Sequence, residues 1–475
     1  MRRMSIETYR TLYDLPALAG LSDFPAAARP GLSVEESVRR LKRFHYALRR
    51  LHGVLVARIT AEPVYEIKMG FSLHAHYCAE HVSALRGRVG EMREPPLGLD
   101  VVPDETLAVF FDEILAAPAT SELIAGIYLH AIPALIAAMK KYAGDANPLA
   151  DAPSRRVLRF AVLELEDVAA WGAEVVKRLV AISMPGAEWD QHLRACLAAA
   201  GGMDGTEPAA PSPGRKFSAQ PYRYDPVPGR DERFPDPYNM GVNAEVFLHD
   251  ADMPALPKCL MMYYRRIREI DVPEMMSSII TETKGKPWNY YRDMTRQLWD
   301  EARHAMMGEV GFVAAGVDWR KVMINFTWSL GLNTQLGPKE RHGVLYFIEQ
   351  GQMPKTGKRY EWEVAVMAEE KLAATFQDFD WADEVLHARV GRDWYVSEFE
   401  NAKDAVEWGD KCWSKVLMGW REWREQGLTQ HRNWWPDVYR EACAQWKMEP
   451  DPKVLAYSTS YEATRADLKV LPASG

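Results

Sequence analysis

WDEARHAMMGE (299–309) and WADEVLHARVG (381–391) are the two stretches on which the reading of the fold turns. Of the twelve histidines, only His304 and His387 have a glutamate three residues before them, Glu301 and Glu384. On a helix, positions i and i+3 share a face, so each pair aims a carboxylate and an imidazole at one point. A centre that uses this arrangement twice needs one more glutamate from each of two other helices. Glu349 lies 35 residues before Glu384, and Glu269 lies 32 before Glu301. Both spacings suit antiparallel hairpins, turned at QMPKTGK (352–358) and KGKPW (284–288). Glu274 is the alternative to Glu269, because Pro273 suits the first turn of a new helix.

Charge supports the set. Four buried carboxylates are very costly without cations, and two divalent ions cancel their charge while two neutral imidazoles complete the shell. Oxygen donors with some imidazole suit iron or manganese rather than a thiolate-preferring metal. Asp300 and Asp383 each precede a glutamate of the pairs and are expected to accept the far N–H of a ligand histidine, across the two helices. His342 and Tyr346 fall on the face of Glu349. His342 reads as a partly exposed histidine beside Lys339 and Arg341, outside the ligand set.

Outward from these stretches, helical periodicity covers about 34–58, 62–93, 105–117, 121–142 and 155–182, then 258–283, 288–314, 319–351, 360–394 and 400–426, while strand-like alternation is scarce. The expected class is all-α. Between 201 and 257 glycine and proline are dense enough to break helices, which predicts a linker or strap. Four regions follow: a helical domain at 1–200, the strap at 201–257, the bundle carrying the centre at 258–395, and a tryptophan-rich extension at 396–475. The tryptophans there (408, 413, 420, 423, 434, 435 and 446) are expected to pack the C-terminal helices onto that bundle.

The five cysteines, Cys78, Cys196, Cys259, Cys412 and Cys443, contain no CxxC pair. Neither a disulfide framework nor a zinc or rubredoxin-type site is indicated, and reduced thiols fit a cytoplasmic protein. The net charge of −8 gives no reason to expect nucleic acid. No signal peptide is read at the N-terminus. The most apolar run, Leu123 to Met139, is interrupted by His130 and Pro133 and reads as a core helix, so no membrane is expected.

DEARH (300–304) and DEVLH (383–387), with Glu269 and Glu349 upstream, resemble the ferritin-like superfamily of di-iron carboxylate proteins. RDMTRQLWDEARHAMMGE (292–309) and DEVLHARVGRDW (383–394) are similar to uncharacterised bacterial ferritin-like proteins. The resemblance covers about 258–395. It implies a four-helix bundle holding two iron ions, or an iron and a manganese, with Glu269, Glu301, His304, Glu349, Glu384 and His387 as ligands and O2 as co-substrate. The expected activity is an oxidase or oxygenase acting on a small organic substrate, as hydroxylase, desaturase or N-oxygenase. Without a rubredoxin-like site, electrons come from an external donor or from the substrate. The alternative is a non-catalytic iron-binding, ferroxidase or structural protein.

An offset of about 220 carries the site positions onto Tyr46, Cys78, His81, His130, Glu164 and Asp167. This predicts that residues 34–182 form a second bundle of the same plan with an eroded metal shell, serving as a wall or as the surface of a homodimer. His74, His76 and His81 are expected to be ordinary core or surface residues.

Overall fold

A computed structural model describes residues 5–92, 98–180, 185–416, 420–429 and 431–461. Every regular element among them is helical, with no strand. Met1 to Met4 of the N-terminus, the side chain of Trp420 and the end of the C-terminal extension lie outside the described residues. The chain divides into two compact units. The first comprises residues 1–55 and 74–223, and the second residues 56–73 and 224–475. The division falls inside the glycine- and proline-rich segment, as composition suggests. The second unit also takes in 56–73, which the sequence reading placed in the first region, and holds 396–475 together with 258–395.

The first unit holds helices α1 (Val34–Ile59), α2 (Tyr65–Gly90), α3 (Glu105–Leu115), α4 (Thr120–Asp145), α5 (Ala152–Val180) and α6 (Ala187–Ala199), with α1 and α2 each giving one end to the second unit. In α1, Leu41, Phe44, Leu48, Leu51 and Leu55 recur at three- and four-residue steps and are wholly buried, the stripe that commits an amphipathic helix to a core. The apolar run around Leu123 lies in the expected 121–142 helix, which extends to Asp145. α4 continues through His130 and Pro133 by way of a π-helical stretch, Gly126–Ala131. By length and composition this one helix could cross a membrane, but 67% of its apolar window is buried inside the protein. α6 is absent from the sequence reading.

The second unit contains α7 (Ala255–Arg268), α8 (Asp271–Glu282), α9 (Trp288–Ala314), α10 (Thr327–Gln335), α11 (Pro338–Gly351), α12 (Lys358–Met367), α13 (Lys371–Trp394), α14 (Ala402–Val416) and α15 (Trp435–Trp446). Three expected helices are broken. The 258–283 helix stops at Glu269, whose backbone has already turned away from helical ψ. The 319–351 helix splits at Gly337–Pro338, and the 360–394 helix splits at Glu369, which takes a positive φ of 55°. Glu370 restarts the last of these by accepting the Ala373 amide and the Tyr263 hydroxyl. α9, which begins after Pro287, runs unbroken for 27 residues.

The strap is irregular from 201 to 243 but firmly anchored. In the first unit, buried Glu113 accepts the amides of Lys216 (2.9 Å), Phe217 (2.7 Å) and Ser218 (3.1 Å). In the second unit, Arg230 donates to Asp271 at 2.6 Å and to Glu274. Of the tryptophans, Trp434 lies 4.6 Å ring to ring from Tyr264 of α7, and Trp435 packs on Phe247 and Tyr439.

Candidate metal centre

α7 and α9 approach closely where α9 has Gly308. A Cβ at that position would stand 2.3 Å from the Ile267 amide nitrogen, so only glycine permits the contact. His304 lies one turn before Gly308 and Arg266 and Glu269 flank Ile267, so this approach brings the end of α7 against the functional face of α9. α11 brings Glu349, and α13 brings Asp380, Glu384 and His387 on one stripe at i, i+4 and i+7.

Two adjacent groups result: Glu269, His304, Asp380 and Glu384, and beside it Glu301, Glu349 and His387. His304 Nδ1 lies 3.4 Å from Glu269, 3.5 Å from Asp380 and 3.7 Å from Glu301. His387 Nδ1 lies 3.2 Å from the other oxygen of Glu301, 3.7 Å from Glu384 and 3.9 Å from Glu349. Glu301 therefore reaches both imidazoles, one through each oxygen. Glu384 belongs to the first group and also faces His387. Glu269 and Asp380 serve only the His304 side, and Glu349 only the His387 side.

The far nitrogens are held crosswise. His304 Nε2, on α9, donates to Asp383 of α13 at 3.1 Å, and His387 Nε2, on α13, donates to Asp300 of α9 at 3.4 Å. Arg303 ties the two braces together, donating to Asp300 at 2.5 Å and to Asp383 at 2.6 Å. Burial opposes the charge of Asp300, yet hydrogen bonds from His387, Arg296 and Arg303 hold its carboxyl far below the usual range. Both Nδ1 atoms are left facing inward.

The electrostatics are those of crowded acid. Burial alone would depress both imidazoles. Asp380, Asp383, Glu269 and Glu301 instead raise His304 well above its ordinary value, and Asp300, Glu301 and Glu384 do the same for His387. Burial and the charges of Glu384 and Glu301 push Glu349 well up. Glu384 is also buried, but Lys358, Glu349 and His387 hold it well down. Five inward atoms are buried without an aligned hydrogen bond and meet one another only at 3.2–3.7 Å: Nδ1 of both histidines and one oxygen each of Glu269, Glu301 and Glu384. Orphaned polar atoms in such number are costly. Divalent cations between them would satisfy all five, so the donor set fits the metal that the sequence implies.

The six expected ligands converge. Glu274 does not join them: it is fully buried, paired with Lys68 and Arg230, and accepts the Ser329 hydroxyl at 2.7 Å. His342 is also apart and is buried rather than partly exposed, packed against Tyr290 and Tyr395, with its pKa lowered by burial to about 4. The sequence reading missed Asp380, Arg266 and Lys358. Asp380 was legible as the start of the stripe ending at His387. Arg266 pairs with Asp380 and, at 2.9 Å, with Glu269. Lys358 lies 2.9 Å from both oxygens of Asp380 and 2.8 Å from Glu384. The charge count of four carboxylates thus becomes five carboxylates and two fixed cations.

A cavity of about 120 Å3 meets the centre along Glu269, Glu301, Glu349, Glu384 and Lys358. Val272, Met275, Leu332, Leu345 and Ile348 form its apolar wall, and Glu245, Arg265, Arg268 and Gln352 add polar groups.

In the first unit the offset positions do not assemble a centre. His81 pairs with Glu164 at 2.7 Å, His130 with Asp190 at 2.7 Å, and burial pushes the Cys78 thiol up to about 12. His74 bonds the Tyr128 hydroxyl at 2.7 Å. Among the described residues, no metal-type group of three occurs there. Comparison of the chain with models of known protein families, with curated proteins and with solved structures returned no match.

Proposed function

We propose that the second unit is a ferritin-like four-helix bundle with a di-iron centre, and that it is an O2-dependent oxidase or oxygenase acting on a small organic substrate. The observation that carries this reading is the set of five orphaned, buried donor atoms facing one another, with both imidazoles fixed by carboxylates on their far side. Glu269, Asp380 and His304 would hold one ion, Glu349 and His387 the other, with Glu301 and Glu384 within reach of both. When bound, two ferrous ions supply the electrons that reduce O2 and the oxidising power to attack a C–H or N–H bond. A mixed iron–manganese pair suits the same donors.

The chain's own residues do the rest. Asp300 and Asp383 keep the Nε2 protons in place, so that Nδ1 remains a donor. Leu332, Leu345 and Ile348 line a wall that excludes water and holds the apolar part of a substrate beside Glu301 and Glu349. Electrons come from an external donor or from the substrate. The first unit is read as an eroded copy of the same bundle. Four long helices, α1, α2, α4 and α5, support this, as does the contact of His81 with Glu164, the counterparts of His304 and Glu384. It would serve as a wall or dimer surface. A cytoplasmic location is part of the same reading.

One observation favours a second reading. Arg266 and Lys358 already neutralise part of the acidic shell, as they would in an iron-binding or purely structural bundle. Metal content of anaerobically purified protein, followed by its absorption on exposure to air, separates the two. Near two irons per chain with oxygen-to-iron charge-transfer bands supports the oxidase. Iron without O2 consumption under any reductant favours the second reading, and no metal after reconstitution ends the enzyme reading.

A further inference from the structure

The two halves of the centre differ in fixed charge. On the His304 side, the carboxylates of Glu269 and Asp380 are matched by two cations. Arg266 pairs with both, and the Lys358 ammonium lies 2.9 Å from each Asp380 oxygen, 2.8 Å from Glu384 and 3.8 Å from Glu269. Both cations are essentially inaccessible, Arg266 at 0% and Lys358 at 1% exposure, so solvent screens them little. On the His387 side, Glu349 accepts the neutral Gln297 amide, at 3.0 Å, and shares a hydrogen bond with Glu384. Among the described residues, no lysine or arginine forms an ion pair with Glu349 or Glu301.

We infer that the two metal positions are unequal: the His387 position takes the first divalent cation and holds it tightly, while Lys358 and Arg266 make the His304 position a weaker, second site. The inference rests on the metal-centre reading above. With Glu301 and Glu384 shared, the ligands private to the His304 position carry no net charge once their two cations are counted. Glu349, which gives up its proton to the ion it binds, leaves the other position one unit negative. An ion on the His304 side must also share Asp380 and Glu384 with an ammonium already in hydrogen-bond contact with both. A unit charge at ligand distance is a large term in a site screened this little, so the two affinities should differ by about tenfold or more.

The test is an anaerobic titration of the full chelator-treated chain with manganese(II) chloride, an ion that does not react with O2. Free Mn(II) is followed by electron paramagnetic resonance and binding by calorimetry. The expected result is two steps, the first at least about tenfold tighter. His387→Ala removes the tight step, whereas His304→Ala removes the weak one. Lys358→Met, of similar length but uncharged, brings the second step to within about threefold of the first, and Lys358→Arg keeps them apart. Equal affinities in the native chain, loss of the tight step in His304→Ala, or an unchanged gap in Lys358→Met would overturn the inference while leaving the metal centre intact. No binding at either step would instead overturn the centre itself. Should a variant not fold, anomalous scattering from native crystals loaded with one equivalent of Mn(II) decides: density beside His387 supports the inference, and density beside His304 refutes it.

Discussion

At the scale of single residues, the centre separates groups that would hold metal from groups that aim them. Glu301→Ala and Glu384→Ala each remove a carboxylate that reaches both halves. Each should lower iron from near two per chain to below one, with helicity by circular dichroism unchanged, whereas His130→Ala in the first unit should leave iron content as it was. Asp383→Asn keeps the shape of the brace on His304 but gives up its charge. The expected cost is about 10–100-fold in affinity for the ion beside His304, read by calorimetry, with the ion beside His387 little affected. Four of the six candidate ligands were legible because Glu-x-x-His puts both donors on one helix face, and Glu269 and Glu349 because each lies about one hairpin before such a pair. Arg266 and Lys358 were not legible: an arginine three residues before a glutamate and a lysine after a glycine are ordinary surface patterns. Only burial by other helices makes them part of a centre.

At the scale of elements, Gly308 is the most exposed point of failure. Gly308→Ala pushes a methyl group into the α7 backbone beside Glu269, and overpacking of this kind costs about 1–3 kcal/mol. Chemical denaturation should show that loss of stability, accompanied by weaker binding on the His304 side. α9 was legible to the residue because Pro287 marks its start and the apolar pattern then runs without interruption. The break at Glu269 was signalled by Pro273, which lies near the start of α8, whereas the break at Glu369 was hidden, since no proline or glycine announces it. Glu369 adopts its positive φ without the usual residue. Its neighbour Glu370 caps the next helix, and tertiary contact to Tyr263 rather than local propensity fixes the turn.

At the scale of the whole molecule, the first unit should lose stability in acid. Its His45, His52 and His74 are buried, and burial lowers each pKa to about 3. The unfolded chain takes up these protons near pH 6.5 and the folded unit does not. Stability is therefore full above that pH and falls as pH drops from about 6.5 towards 3, by about 1.4 kcal/mol per pH unit for each histidine. Denaturation midpoints at pH 7 and pH 5, followed by a probe in the first unit, should show the decline. Asparagine at the three positions should reduce it. The all-α class and the break between units were readable from periodicity and from proline and glycine density. The assignment of 56–73 to the second unit was not, because a helix that serves two cores has the same periodicity throughout.

The crosswise bracing of the two imidazoles makes α9 and α13 a clasp. Each helix carries one donor nitrogen and also the carboxylate that steadies the other helix's donor. Sliding one helix past the other by a single residue, about 1.5 Å, would unlatch both at once. A relative slip of α9 and α13 should therefore register at both metal positions together, whereas loss of a single brace loosens one imidazole alone.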